Sequence, residues 1–244
     1  MTVILKFGGS VITDKANPGV IRSGVIAELA AAVAAANKPA VIVHGAGSLG
    51  HPEAKAYGIA DGVSKENARG VYVTHTAVSR LNAEVVAALR EAGVEAVSFH
   101  PFSSALAENG RLVFCGEEQI SCLLAAGIIP VLHGDVVLDR TRGGCIVSGD
   151  QIVPYLAKAL RAEAVGIVTA TGGVLADGTI IPEITRETQV AFHSAETADV
   201  TGGMQGKVEE LLALAESGIS SHIFRPEMLA AFLAGNPCGG TLVK

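Results

Sequence analysis

Val41-Ile42-Val43-His44-Gly45-Ala46-Gly47-Ser48-Leu49-Gly50-His51 decides the fold class. Its first three residues are β-branched and apolar, the mark of a short strand buried on both faces. They run straight into a loop in which Gly45, Gly47 and Gly50 carry no side chain to hold a ligand off the backbone. Successive N–H groups in such a turn converge on one point and form an anion-binding concavity, which hands its phosphate to the N-terminus of the next helix. The stretch therefore predicts strand, phosphate cradle and helix, with His51 closing the loop; a plain tight turn and a structural histidine are the alternatives.

Working outward, Thr2–Leu5 predicts another buried strand, followed by Lys6-Phe7-Gly8-Gly9-Ser10. A lysine at a strand end, directly before two glycines, sets a point charge over a backbone cradle, as a nucleotide γ-phosphate requires. The plain alternative is a turn with an exposed lysine. Lys15 lies on the loop Asp14–Arg22, marked by Asn17-Pro18-Gly19, and is either a solvated surface lysine or one that folds over a bound phosphate. Far along the chain, Asp199–Lys207 reads as a second cradle. Gly202 and Gly203 stand at a helix entrance, with Lys207 one turn further on. Asp150 is expected at the start of a helix over 151–162, where the dipole favours a carboxylate. Read alone it is an N-terminal cap; beside these lysines it would orient two ammonium groups. The helix expected over 70–92 has Val71, Tyr72, Thr74 and Val78 in its first turns, where they join the core or line an apolar ligand pocket.

Strand, glycine loop and helix recur along the chain, which predicts a doubly wound, mainly parallel sheet with ligands at the carboxyl ends of its strands. A hydrophobic content of 49% with only 17% charged residues fits such a buried sheet and excludes a disordered chain. The net charge of −6 argues against a nucleic-acid or anionic-membrane surface, so a few placed cations must meet any phosphate ligand. The four cysteines, Cys115, Cys122, Cys145 and Cys238, have neither disulfide-framework nor zinc-site spacing. A reduced, cytoplasmic setting without membrane span or export signal is the expectation. Neither a Walker-type nor a dinucleotide-binding fingerprint is present.

Taken together, Lys6-x-Gly8-Gly9-Ser10, Gly45-x-Gly47-Ser48, Gly149-Asp150 and Asp199-x-Thr201-Gly202-Gly203-Met204-x-x-Lys207 resemble the amino acid kinase superfamily. Within it, LKFGGSVITDK, VHGAGSLGHPEA, GDVVLD, SGDQ and DVTGGMQGK are most similar to the isopentenyl phosphate kinases, in the same order over nearly the whole chain. The resemblance implies a three-layer α/β/α sandwich around a mainly parallel twisted sheet. It implies one domain, with an acceptor-side lobe at about 1–150 and a nucleotide-side lobe at about 151–244. The implied reaction moves the γ-phosphoryl group of ATP, with Mg²⁺, onto isopentenyl phosphate in a homodimer.

By the same resemblance Lys6, Gly8, Gly9 and Ser10 hold the ATP phosphates, with Gly47, Gly203 and Lys207 completing the nucleotide side. Ala46 and Gly149 contact the acceptor, His51 binds its phosphate, and the tail lies by Val71, Thr74 and Ile146. Lys15 stabilises the moving phosphoryl group and Asp150 organises the lysines. Two departures stand out. Thr169-Ala170-Thr171-Gly172-Gly173-Val174 replaces an acidic T-D-V-D-G-V turn near the nucleotide, and Leu49 stands where the family commonly has Phe. A phosphonate kinase similar to fosfomycin kinases, and a nucleotide- or metabolite-binding protein without turnover, remain the alternatives.

Overall fold

The computed structural model describes residues 2–188 and 203–244. In chain order the strands are β1 (Val3–Phe7), β2 (Ala40–His44), β3 (Ala96–Ser98), β4 (Leu106–Glu108), β5 (Arg111–Phe114), β6 (Ile129–His133), β7 (Asp135–Asp139), β8 (Gly143–Val147), β9 (Ala164–Val168), β10 (Leu175–Ala176), β11 (Thr179–Ile180), β12 (Glu183–Ile184), β13 (Ser221–Phe224) and β14 (Thr241–Val243). The helices are α1 (Gly9–Ile12), α2 (Ser23–Ala36), α3 (His51–Ala56), α4 (Ala68–Glu91), α5 (Pro101–Ser104), α6 (Glu117–Ala125), α7 (Gly149–Ala159), α8 (Gly203–Ala215) and α9 (Leu229–Leu233).

An eight-stranded sheet in the order β12-β14-β13-β9-β1-β2-β6-β3 forms the middle layer, and its pairings are parallel except for β13 with β14. Its strands come from both halves of the chain. The strand period of two divides their side chains between two cores. Ile4, Val41 and Val43 join residues of α6, α7 and α8 on one face. Val3, Leu5, Phe7, Ala40 and Ile42 join residues of α1, α2, α4 and α9 on the other. The expected three-layer sandwich is thus the observed one, apolar on both faces of its sheet as a buried parallel sheet must be.

A smaller sheet, β5-β4-β7-β8, joins β4 and β5, which precede α6, to the antiparallel hairpin β7–β8 that lies between β6 and α7. Asp139 ties its turn, accepting hydrogen bonds from the N–H groups of Gly110, Thr141 and Arg142 at 2.7, 2.8 and 3.0 Å.

Several boundaries are set locally. The helix that follows the cradle, α3, ends at Ala56, because Gly58 turns the chain at φ +62° before a short 3₁₀ turn, Ile59–Asp61. After β3, Pro101 opens one turn of helix, α5, which leads into β4. Gly166 belongs in β9 because a Cβ there would lie 2.7 Å from the ring of Phe232. Among the described residues no helix is long and apolar enough to cross a membrane.

Candidate active site

Parallel strands deliver their following loops to one edge of the sheet, and β1, β2 and β9 do so side by side. Gly8 donates its N–H to the carbonyl of Val168, and Gly45 to that of Phe7, both at 3.0 Å. The two glycine loops then meet backbone to backbone. A Cβ on Gly9 would stand 2.4 Å from the Gly47 nitrogen, and one on Gly45 2.8 Å from the Gly9 nitrogen. Gly47 has φ +58°, a conformation that side chains disfavour. Thr13 stitches the loops together: its hydroxyl donates to the carbonyl of Gly9 at 2.7 Å and accepts from the N–H of Ser48 at 3.1 Å. Among the described residues, the N–H groups of Gly9, Ser10, Ala46 and Gly47 find no protein acceptor. The arrangement is a double amide cradle suited to anions.

Lys6 shares the strand face of Ile4, so its side chain points toward the helices that cover that face. There it meets Asp150 in the first turn of α7, Nζ to Oδ2 at 2.5 Å, while Lys207 of α8 reaches the other carboxylate oxygen at 2.6 Å. The three side chains are 5%, 15% and 12% exposed respectively. Gly149 leaves room for this, since a Cβ there would come within 3.1 Å of the Lys6 Cε. Burial pulls the Lys6 ammonium down to about 7; Asp150 pulls it the other way and Lys207 reinforces the fall. Against the cost of its burial, Lys6 and then Lys207 hold Asp150 well below the usual carboxylate range. One carboxylate thus holds two cations from distant parts of the chain beside the cradle.

The other expected site residues are placed less uniformly. Gly203 opens α8, and Asp199–Gly202, the rest of the second expected cradle, lies outside the described residues. His51 is the first residue of α3, half-buried, with no side-chain hydrogen bond among the described residues. Lys15 is exposed and forms no ion pair among them. Its loop is tied to the second glycine loop, Gly19 donating its N–H to Ser48 Oγ at 3.3 Å. Val71 and Ile146 pack with Ala54, Ile59, Val136 and Phe102 in a small separate apolar cluster. Thr74 is buried one turn before Val78, outside that cluster, and its hydroxyl finds no partner among the described residues. A cavity of about 500 Å³ opens beside Asp150, lined also by Arg111, Ile146, Ser148, Gln151 and Gly206. In the departing turn, Thr169 Oγ1 accepts from the N–H of Gly172 at 3.1 Å and Thr171 donates to the carbonyl of Gly173 at 3.0 Å. Threonine hydroxyls hold that turn without carboxylates.

The sequence reading passed over a histidine cluster under these loops. His44 and His133 are buried, and their rings stack at a centroid separation of 5.4 Å. Beside them, His100 pairs with His133, and His75 donates from Nδ1 to the buried Asp135 at 2.9 Å. The available signal was the dipeptide His-Gly, which ends the apolar runs VIVHG and VLHG alike.

A mainly parallel sandwich with two opposed glycine loops and a Lys–Asp–Lys bridge defines the class: the chain belongs to the amino acid kinase family, whose family model matches residues 1–225. Its relatives are more particular. The chain is 43% identical to the isopentenyl phosphate kinase of Haloferax volcanii, over 99% of this chain and 98% of that one. It is 35% identical to that of Methanothermobacter thermautotrophicus over the same shares. An X-ray structure of isopentenyl phosphate kinase superposes with a TM-score of 0.88 at 33% identity, covering 100% of both chains.

Proposed function

We propose that the protein transfers the γ-phosphoryl group of ATP to isopentenyl phosphate, giving isopentenyl diphosphate, a step of isoprenoid precursor synthesis. The observation that carries this reading is Asp150 held between Lys6 and Lys207 where the two glycine loops meet. The kinship with isopentenyl phosphate kinases supports the choice of acceptor.

In this reading the amides of Gly8, Gly9 and Ser10, with Gly47, Gly203, Lys6 and Lys207, receive the nucleotide phosphates from a nucleotide-side lobe at about 151–244. Ala46, His51 and Gly149 receive the acceptor phosphate from the lobe at about 1–150. The apolar tail lies toward Val71, Thr74 and Ile146, and Lys15 swings from its exposed loop to the moving phosphoryl group. A phosphate monoester, with a second pKa of about 6, is largely dianionic at neutral pH, so the attacking oxygen needs no general base. What remains is alignment and charge neutralisation, which ammonium groups and convergent amides supply.

Mg²⁺ would arrive with the nucleotide. Among the described residues no cluster of histidine, cysteine or carboxylate side chains fits a metal ion, and ammonium groups take both oxygens of Asp150. That donor set suits an ion held by phosphate oxygens. The proposal extends to a homodimer, for which light scattering gives the mass. The function is tested by coupled assay of ADP release with isopentenyl phosphate, a phosphonate and a carboxylate offered in turn. The phosphate ester should be the strongly preferred acceptor, and preference for either of the others rejects it.

A further inference from the structure

Two neighbouring strands of the large sheet end in the same dipeptide, His44-Gly45 after β2 and His133-Gly134 after β6, and the parallel register sets His44 opposite His133. Both side chains fall on the face covered by α4. In each ring Nδ1 lies 3.1 Å from the carbonyl oxygen of the following glycine. A carbonyl can only accept, so the ring proton sits on Nδ1 and leaves Nε2 as an acceptor. The partners agree with that tautomer. The Nε2 of His44 faces the Asn82 amide nitrogen at 3.2 Å, and the same nitrogen donates to the carbonyl of Val131 at 3.1 Å. The Nε2 of His133 faces Nδ1 of His100 at 2.9 Å. Burial pulls His44 down to about 4 and His133 to about 3, so both rings stay neutral at neutral pH.

The carbonyl held by His44 belongs to the peptide that joins Gly45 to Ala46. That peptide is trans, so its N–H points opposite to its C=O. With a glycine on one side, this plane could rotate at little steric cost were it not tied. We infer that His44 is a positioning residue for the acceptor: by holding the Gly45 carbonyl it turns the Ala46 N–H toward the acceptor phosphate. The inference rests on the function proposed above. The Ala46 N–H finds no protein acceptor among the described residues, as a donor kept for a ligand should not. Asn82 in turn fixes the ring.

Gly45-Ala46 is the only Gly-Ala step in the sequence. Protein labelled with ¹³C-carbonyl glycine and ¹⁵N-alanine therefore gives one carbonyl-filtered amide signal, that of Ala46. In the wild type it should move downfield on titration with isopentenyl phosphate and, more weakly, with inorganic phosphate. Two variants divide the ring between them. His44→Asn keeps a donor near the Nδ1 position, whereas His44→Gln places its amide near Nε2 and loses that donor. His44→Asn should retain the downfield shift and nearly the wild-type KM for isopentenyl phosphate. His44→Gln should lose the shift and raise that KM roughly 10–100-fold, as expected for one hydrogen bond to a charged group, with the KM for ATP unchanged. Equal losses in both variants, or no loss in either, overturn the inference. So does a wild-type signal that neither phosphate moves, which decides the matter even if His44→Gln does not fold. Failure of the proposed function reads differently: no ADP release with isopentenyl phosphate while inorganic phosphate still moves the Ala46 signal.

Discussion

Gly9 and Gly47 press together so closely that a methyl group on Gly9 would lie 2.4 Å from the Gly47 nitrogen and 2.6 Å from its Cα. Both atoms are backbone, so no side-chain rotation relieves the clash. Gly9→Ala must part the two loops, and it should lower kcat/KM at least 100-fold, consistent with loss of aligned cradle geometry worth about that factor. Gly24→Ala is the control, since a Cβ there meets nothing within 4 Å in α2. It should be neutral or stabilise by about 0.4–1 kcal/mol in urea unfolding, with activity unchanged. Equal kinetics for the two variants would contradict the packed-loop account.

Asp150 separates two buried lysines, and below about pH 7, where Lys6 is charged, removing its carboxylate leaves two ammonium groups facing each other. Asp150→Ala should cost roughly 3–5 kcal/mol of stability, the usual penalty for breaking a buried pair from one side. Saturating ATP should restore part of that loss, because its phosphates replace the missing negative charge. Urea unfolding with and without nucleotide measures both quantities. A variant as stable as the wild type would mean that the carboxylate is not what holds the lysines.

Lys6 loses its proton near pH 7 in the free protein, because burial outweighs the attraction of Asp150. Its charged form predominates below that pH and its neutral form above it. Since kcat/KM reports the free enzyme, it should fall as pH rises through about 7. The acid limb should follow the acceptor, whose second phosphate pKa is about 6. Lys6→Arg keeps its charge throughout, so it should lower the rate yet abolish the alkaline limb. An alkaline limb that persists in Lys6→Arg belongs to some other group.

His51 opens α3 with an imidazole free of side-chain hydrogen bonds among the described residues. His51→Ala should raise the KM for isopentenyl phosphate roughly 10–100-fold through loss of a charge-assisted hydrogen bond, and leave the KM for ATP alone. Steady-state kinetics in both substrates separates the two effects. A rise confined to ATP would move His51 to the nucleotide side.

The fold was legible because apolar runs such as Val41–Val43 end in glycine loops, a pattern that only a parallel sheet with ligands at its edge reconciles. The types of charged residue at the site were legible too. Their meeting was not: Lys6, Asp150 and Lys207 are far apart in sequence, and only the alternation of β1 and the seating of α7 and α8 aim them at one point. Thr13 and His44 escaped the reading because each acts on its neighbours' backbone, and no residue pattern encodes a hydrogen bond to a carbonyl. Gly166 inside β9 is explained by the Phe232 ring packed over it, a contact that exists only in the folded chain.

The most direct test is a ³¹P NMR spectrum of the purified protein incubated with isopentenyl phosphate and Mg·ATP. The account predicts that the monoester resonance gives way to the coupled pair of a diphosphate monoester while ATP becomes ADP in equal amount. A monoester resonance that persists unchanged, with ATP either intact or hydrolysed to ADP and inorganic phosphate, would contradict it.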